Sequence, residues 1–497
     1  MHLLVYGSSR SFFVGSYVSS IKQNWFIIPI GTPSAPHRIQ LSSSSFRDNP
    51  PDLPTSLTRL QVKVLNANES LFNGKRLLSI CTSMHSLQEL SVLFIGPLPE
   101  LAALSHLIHL KTLSLANHST SSTSPLLPTV VPSSFSSSSS SSSLLSSTKH
   151  QSTAQCSLPA LPSLQSLSLF GFCVNDLPPT STLTSLKMEH VHGWDVGNTN
   201  NVDRIVVAEY PLLQSLSFMN HSISGPTFTT LCRLKFLESF TCGLLVSQFM
   251  TTSPRLLPCE SLVSIRCWTT SQKILELLSA ISTLRTLDVS QSSHTVDDSI
   301  QLVHCLQCFT NLTSLSLHSC RLSNSSLVEI AKIPSPLLHL SLKNNFLFDF
   351  QPLSTLVTLQ SLNVSMCSEG ARSIVALLPK LVELTSLHMP CNVSISTVVS
   401  LYPHLTELAF SDFELPTEDL NVLRHLPQLG SLSLEHSYGI ELQHFRLLVQ
   451  LPSLQFVQIR NSILLSGATF FFFFLLLLCT MSSTCNFFFF YLLFFFC

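Results

Sequence analysis

The chain has 497 residues, 26 basic and 27 acidic side chains, and a formal net charge of −1. Only 11% of its residues are Asp, Glu, Lys or Arg, against about 25% in ordinary soluble proteins. That balance excludes a partner held mainly through phosphates, which takes clustered Lys and Arg, and it excludes a charged disordered tail or a coiled coil.

Residues 1–50 carry no repeating frame and are expected to form a poorly defined N-terminal segment. An apolar frame starts in residues 51–117, at Leu57, Leu87 and Leu110. Residues 118–150 then interrupt it with eight consecutive serines at 136–143. Such a tract buries too little apolar surface to offset its ordering entropy, so a disordered Ser-rich insertion is expected there. Residues 151–462 return to the frame and hold it. Within 337–347, LLHLSLKNNFL places Leu337, Leu340, Leu342, Asn345 and Leu347 at positions 0, 3, 5, 8 and 10. The same spacing gives Leu312-Leu315-Leu317-Cys320-Leu322 and Leu359-Leu362-Val364-Cys367, and later copies start at Leu384, Leu405, Leu429 and Leu454. From Leu183 to Leu454 eleven intervals cover 271 residues, a mean of 24.6.

The spacing has a direct physical meaning. Positions 3 and 5 lie two apart and share one face of a short strand, while positions 2, 4 and 6 share the other. A single strand cannot bury its apolar face alone, so neighbouring copies must stack into a parallel sheet. Between the strands, 271–281, 299–309 and 371–381 carry apolar residues at helical spacing. The 21- and 22-residue copies leave room only for one helical turn or 3₁₀ structure.

With this frame and period the chain resembles the leucine-rich repeat family. The resemblance implies an α/β fold: a right-handed solenoid, or horseshoe, with a parallel β-sheet on its concave face and short helices on its convex face. It also implies that the Asn or Cys at position 8 satisfies backbone groups in the turn after each strand. Asn345, Asn392, Cys320 and Cys367 match that position, whereas Ser437, Phe413, Ser292 and Thr270 depart from it. The Cys-bearing copies resemble a subclass found in ubiquitin-ligase adaptors.

Residues 463–497 fall outside the pattern. They form a Phe/Leu-rich tail with apolar runs of 10 and 11 residues, at 470–479 and 487–497. Each is shorter than the roughly 20 residues a membrane helix needs. Phe, Leu, Ser and Cys all have T-rich codons, so the tail is read either as translated non-coding sequence, a gene-model artefact, or as a membrane anchor. Fifteen cysteines in so long a chain are sparse for a disulfide scaffold, and the first apolar run is broken at Gly7, Ser8 and Ser9. Reduced thiols and a cytoplasmic location are expected, with membrane anchoring through the tail as the alternative.

Motifs for chemistry are weak. Cys305 and Cys308 form a CxxC with no second pair, and Cys305 shares core spacing with Leu302, Leu306 and Phe309. No G-x-S-x-G elbow occurs, and Gly74-Lys75 lacks the upstream glycine of a phosphate loop. No enzyme activity, metal or cofactor is expected. The outward strand face carries more information. Position 2 is Ser or Thr in eleven of sixteen copies, and position 4 in eight. Larger side chains stand out against these hydroxyls: Trp268, His318, Lys343, Glu435 and Arg460 at position 6, with His388 and Glu407 from the same face. These residues are the candidate contacts for a protein or peptide partner, not a nucleic acid. The expected function is a non-catalytic interaction scaffold. A membrane-anchored receptor-like protein and a ubiquitin-ligase substrate adaptor are the alternatives.

Overall fold

A computed structural model describes residues 38–42, 58–63, 84–94, 101–117, 155–171, 173–177, 180–189, 210–246, 259–269, 272–290, 303–367, 374, 376–390, 394–411, 417–435, 444, 447–448, 450–460 and 489–493. The chain divides into two compact units, Pro36–Ser222 with Arg233–Leu237, and Ile223–Cys232 with Glu238–Cys497.

In the N-terminal unit seven parallel strands follow one another: β1 (Arg38–Ser42), β2 (Arg59–Lys63), β3 (Glu89–Phe94), β4 (Thr112–Asn117), β6 (Ser166–Phe170), β8 (Ser185–Glu189) and β9 (Ser215–Ser224). A separate pair, β5 (Gln155–Ser157) and β7 (Cys173–Asp176), forms a second small sheet. The C-terminal unit stacks β10 (Ser239–Val246), β11 (Ser264–Thr269), β12 (Thr286–Asp288), β13 (Ser314–Ser316), β14 (His339–Ser341) and β15 (Ser361–Asn363). It continues with β16 (Ser386–Pro390), β17 (Glu407–Ser411), β18 (Ser431–Glu435), β19 (Phe456–Arg460) and β20 (Phe489–Leu493), all parallel.

Each of the sixteen sequence frames becomes one of these strands, in the expected register. Leu287, Leu315, Leu340, Leu362, Leu387, Leu408 and Leu432 pair as neighbours across β12 to β18, and all are buried. In the other unit Leu60, Leu90, Leu113, Leu167, Leu186 and Leu216 do the same. Each such side chain contributes about 1.5–3 kcal/mol on burial, which is why the repeats hold only as a stack. The repeat, the parallel sheet and the intervening short helices make this a leucine-rich repeat solenoid.

Helices sit between strands: α1 (Gly225–Leu231), α2 (Gln272–Ser279), α3 (Asn324–Ile330), α4 (Ile395–Leu401) and α5 (Thr417–Val422). α2 and α4 occupy copies of 22 and 21 residues, so the expected limit of one turn fails there. The turns leading into them are short: α2 begins three residues after β11 ends, which leaves room for two helical turns. The 22-residue copy at Leu337 behaves as expected and carries only the 3₁₀ segment Gln351–Thr355.

Three further features go beyond the sequence expectations. β1 lies within residues 1–50, where Pro36 replaces the first leucine and Ile39 and Leu41 take the strand positions. β20 lies within the Phe/Leu-rich tail and pairs in register with β19. Among the described residues no helix is long and apolar enough to cross a membrane. Cys232 and Cys259 are bonded as a disulfide, against the expectation of reduced thiols throughout; their Cα atoms lie 4.9 Å apart. Residues 118–150 and most of the tail lie outside the described residues.

Candidate binding surface

In the described copies at Leu312, Leu337 and Leu359 the turn after the strand fixes how the strand face is presented. Asn345 is buried, and its Oδ1 accepts from the backbone N–H groups of Cys320 and Leu322, each at 3.0 Å. Its Nδ2 donates to the carbonyls of Leu342 at 2.7 Å and Leu317 at 2.9 Å. The position-8 cysteines play the donor half of this role. Cys320 Sγ donates to Val289 O at 3.0 Å and Cys367 Sγ to Leu342 O at 3.3 Å. Burial pushes the Cys367 thiol up to about 11, so it stays a neutral donor. Among the described residues, the one just before position 8 is left-handed in four copies: Gly171 (φ 73°), Ser319 (φ 56°), Asn344 (φ 55°) and Met366 (φ 58°). Only glycine adopts this conformation without cost, so the buried side chain that follows holds the other three in place.

The hydroxyl-rich composition has a second use that the strand-face pattern does not reveal. Hydroxyls at position −1 donate to the position-0 carbonyl of the preceding copy: Thr182 to Leu164 O at 2.7 Å, Thr283 to Leu262 O at 2.7 Å, and Thr358 to Leu337 O at 3.0 Å. Hydroxyls at position 1 donate to the position-1 carbonyl of the preceding copy: Thr184 to Gln165 O at 3.1 Å, Thr385 to Gln360 O at 3.2 Å and Thr406 to Thr385 O at 3.2 Å. These bonds staple successive copies along the edge where chain enters each strand. Ser or Thr recurring on both sides of the first leucine is the sequence signal for them.

On the strand face itself the candidate residues fall into two groups. In the first, Lys343 Nζ meets Glu435 Oε2 at 2.6 Å, joining copies 92 residues apart. His318 faces the same group. Its burial, and then the Lys343 cation, lower its pKa from 6.5, while Asp288 and Glu435 oppose the shift. Asp288 is itself buried and accepts from Arg266 Nε at 2.6 Å and from the Ser290 hydroxyl. In the second group, Glu407 accepts from Ser386 Oγ at 2.9 Å and pairs with His388 Nε2 at 3.3 Å. The hydrogen bond from His388 lowers the Glu407 pKa from 4.5, burial opposes it, and Ser386 adds to it.

Trp268 stands half-buried on β11, outside both groups. Arg460 occupies β19, its Cα in register with that of Glu435. Arg266, Asp288 and Ser386 belong to the network although they are absent from the candidate set. Arg266 and Asp288 are the larger residues at position 4 in consecutive copies, a charge pair visible from the frame alone.

The outward face is less open than its hydroxyl pattern implies. Ser365, Ser386, Ser411 and Ser433 are all buried, at 4%, 9%, 1% and 8% exposure. The Met366 N–H donates to Ser411 Oγ at 3.0 Å, a bond that skips the whole intervening copy. Elsewhere Cys305 is packed and Cys308 exposed, and burial raises the Cys305 pKa to about 11. Among the described residues no three His, Cys, Asp or Glu are grouped to hold a metal ion.

Three solved structures show the kind of protein this chain resembles. An internalin of Listeria monocytogenes is 16% identical with a TM-score of 0.33, over 63% of this chain and 84% of that one. Internalin C2 of the same organism is 23% identical with a TM-score of 0.26, over 38% and 79%. A leucine-rich repeat protein of Leptospira interrogans is 14% identical with a TM-score of 0.33, over 88% and 92%. No family model matches the chain, and no curated protein matches it.

Proposed function

We propose that this leucine-rich repeat solenoid is a non-catalytic scaffold that binds a protein or peptide partner on the strand face of its C-terminal unit. The observation that carries the reading is a line of large polar side chains across the copies of β11 to β14. Arg266 and Asp288 stand on β11 and β12, and His318 and Lys343 lie two residues past the ends of β13 and β14, in a background of hydroxyls, with Trp268 on the same strand as Arg266. An exposed guanidinium next to an indole is a combination enriched at binding hot spots, and the Arg266 side chain is 59% exposed. A parallel ladder offers such a surface without needing a reaction pocket.

Site-specific photo-crosslinking tests the surface. A crosslinker at position 268 in the full chain should capture a discrete partner. One at Val382, 62% exposed and off the strand face, should not. Arg266→Ala combined with Trp268→Ala should lower that capture about tenfold, the effect of roughly 1.4 kcal/mol of lost contact. Deleting 118–150 should leave it unchanged. Capture lost on that deletion and kept in the double variant would move the site to the serine tract.

A further inference from the structure

Resting on the reading of the strand face as the binding surface, we propose that Lys343 and Glu435 form a latch that holds this face closed and opens for the partner. Between their copies run four strand-to-strand steps, from β14 to β18. At about 4.8 Å per step the path along the sheet is roughly 19 Å. Fully extended, a lysine and a glutamate side chain together reach about 11 Å from their Cα atoms. A contact of 2.6 Å therefore requires the sheet to curve until the chord is well below the path.

A second tie shows the same closure from the backbone. Met366 N–H reaches Ser411 Oγ across the copy that starts at Leu384. Between the two ends of the latch, position 6 is held by Ser365, Pro390 and Ser411. Serines on this floor have lost their water although they point away from the leucine core. The latch itself keeps contact with solvent, its two side chains being 23% and 19% exposed. A partner's charged groups can reach it and compete for it, whereas the floor becomes accessible only after the pair parts. Opening exchanges one internal ion pair for contacts to the partner along the hydroxyl floor.

Thiol labelling of the full chain tests the latch with no partner present. Ser433→Cys places a reporter thiol on the closed floor, and the native exposed Cys308 serves as the internal reference. Alkylation at both positions is followed by peptide-resolved mass spectrometry with iodoacetamide. Lys343→Glu or Glu435→Lys alone should speed labelling at 433 about tenfold or more relative to Cys308. The two together restore opposite charges and should return the rate to within about threefold of the parent. Single variants that label at the parent rate would overturn the latch, as would a double variant that stays as fast as the singles. Should the singles lose their circular-dichroism signal, the double decides alone: folded and slow supports the latch, unfolded overturns it. Failure here leaves the crosslinking result at position 268 standing, and failure of that crosslinking leaves the ion-pair closure standing but removes its opening for a partner.

Discussion

In β6 and β8 of the N-terminal unit, buried residues alternate with half-buried or exposed ones along the whole strand. In β17 and β18 of the C-terminal unit the alternation disappears, and Ala409, Ser411 and Ser433 are buried along with the leucines beside them. Both regions carry the same frame, the same parallel ladder and the same leucine core. They differ in the outward residues. β8 presents Lys187 and Glu189, ion-paired at 3.0 Å, whereas β17 and β18 present Ala409, Ser411 and Ser433 between Glu407 and Glu435. Small outward residues alone do not close a face, since Ser166 and Ser168 of β6 stay half-buried; the closed face is the one spanned by the Lys343–Glu435 ion pair. A period of two therefore decides which face a residue takes, while what spans that face decides whether it meets solvent.

The comparison can be broken first on the side the two regions share. Leu315→Asp and Leu167→Asp should each cost several kcal/mol by burying an unpaired carboxylate, in equal measure for the two units. Chemical denaturation of each variant checks this, with Ser314→Ala expected to stay within about 0.5 kcal/mol. A large difference between the two aspartates would mean that the cores, and not the faces, distinguish the regions.

A middle-sized effect should appear on the faces themselves. Ser433→Arg forces a long charged side chain into the closed region and should destabilise by about 1–3 kcal/mol. Ser168→Arg, on the open face, should stay within about 0.5 kcal/mol. Equal costs in thermal melts would erase the distinction drawn from burial.

The smallest effect is electrostatic and belongs to the closed region. Glu407 has its carboxyl held below 4.5, so its contribution is present above that pH and is lost as pH falls through the lowered value. His318 is depressed below 6.5 in the fold, so the unfolded chain takes up its proton first and stability falls as pH drops from 6.5. Following both side chains by NMR titration checks the directions. His388→Ala should move Glu407 back toward 4.5; an unmoved titration would remove His388 as the cause.

Much of this architecture was legible in the sequence, because a frame of leucines at positions 0, 3 and 5 leaves a strand only one way to bury them. Leu315 and Leu340 pair on adjacent strands as that logic requires, and Asn345 satisfies its turn as the resemblance implied. β1 was missed because Pro36 hides the first position of its copy. The candidate residues stand out by size and charge, and the sheet brings His318, Lys343 and Glu435 together, and His388 with Glu407. That Lys343 meets Glu435 could not be read from either copy alone. It depends on the curvature accumulated over four strand-to-strand steps, and the trace it leaves is the run of Ser365, Pro390 and Ser411 between a lysine and a glutamate.

The direct pairing of β4 with β6 has a consequence for how this chain tolerates growth. Thr112 to Ala116 match Ser166 to Phe170 residue for residue, so no hydrogen bond of that ladder depends on how much chain lies between 118 and 150. Lengthening such a connection is cheap, about 0.6 kcal/mol for each doubling. That junction is a splice point: a reporter protein with neighbouring termini, inserted between Asn117 and Gln155, should leave the two strands zipped and ride on the solenoid as a pendant.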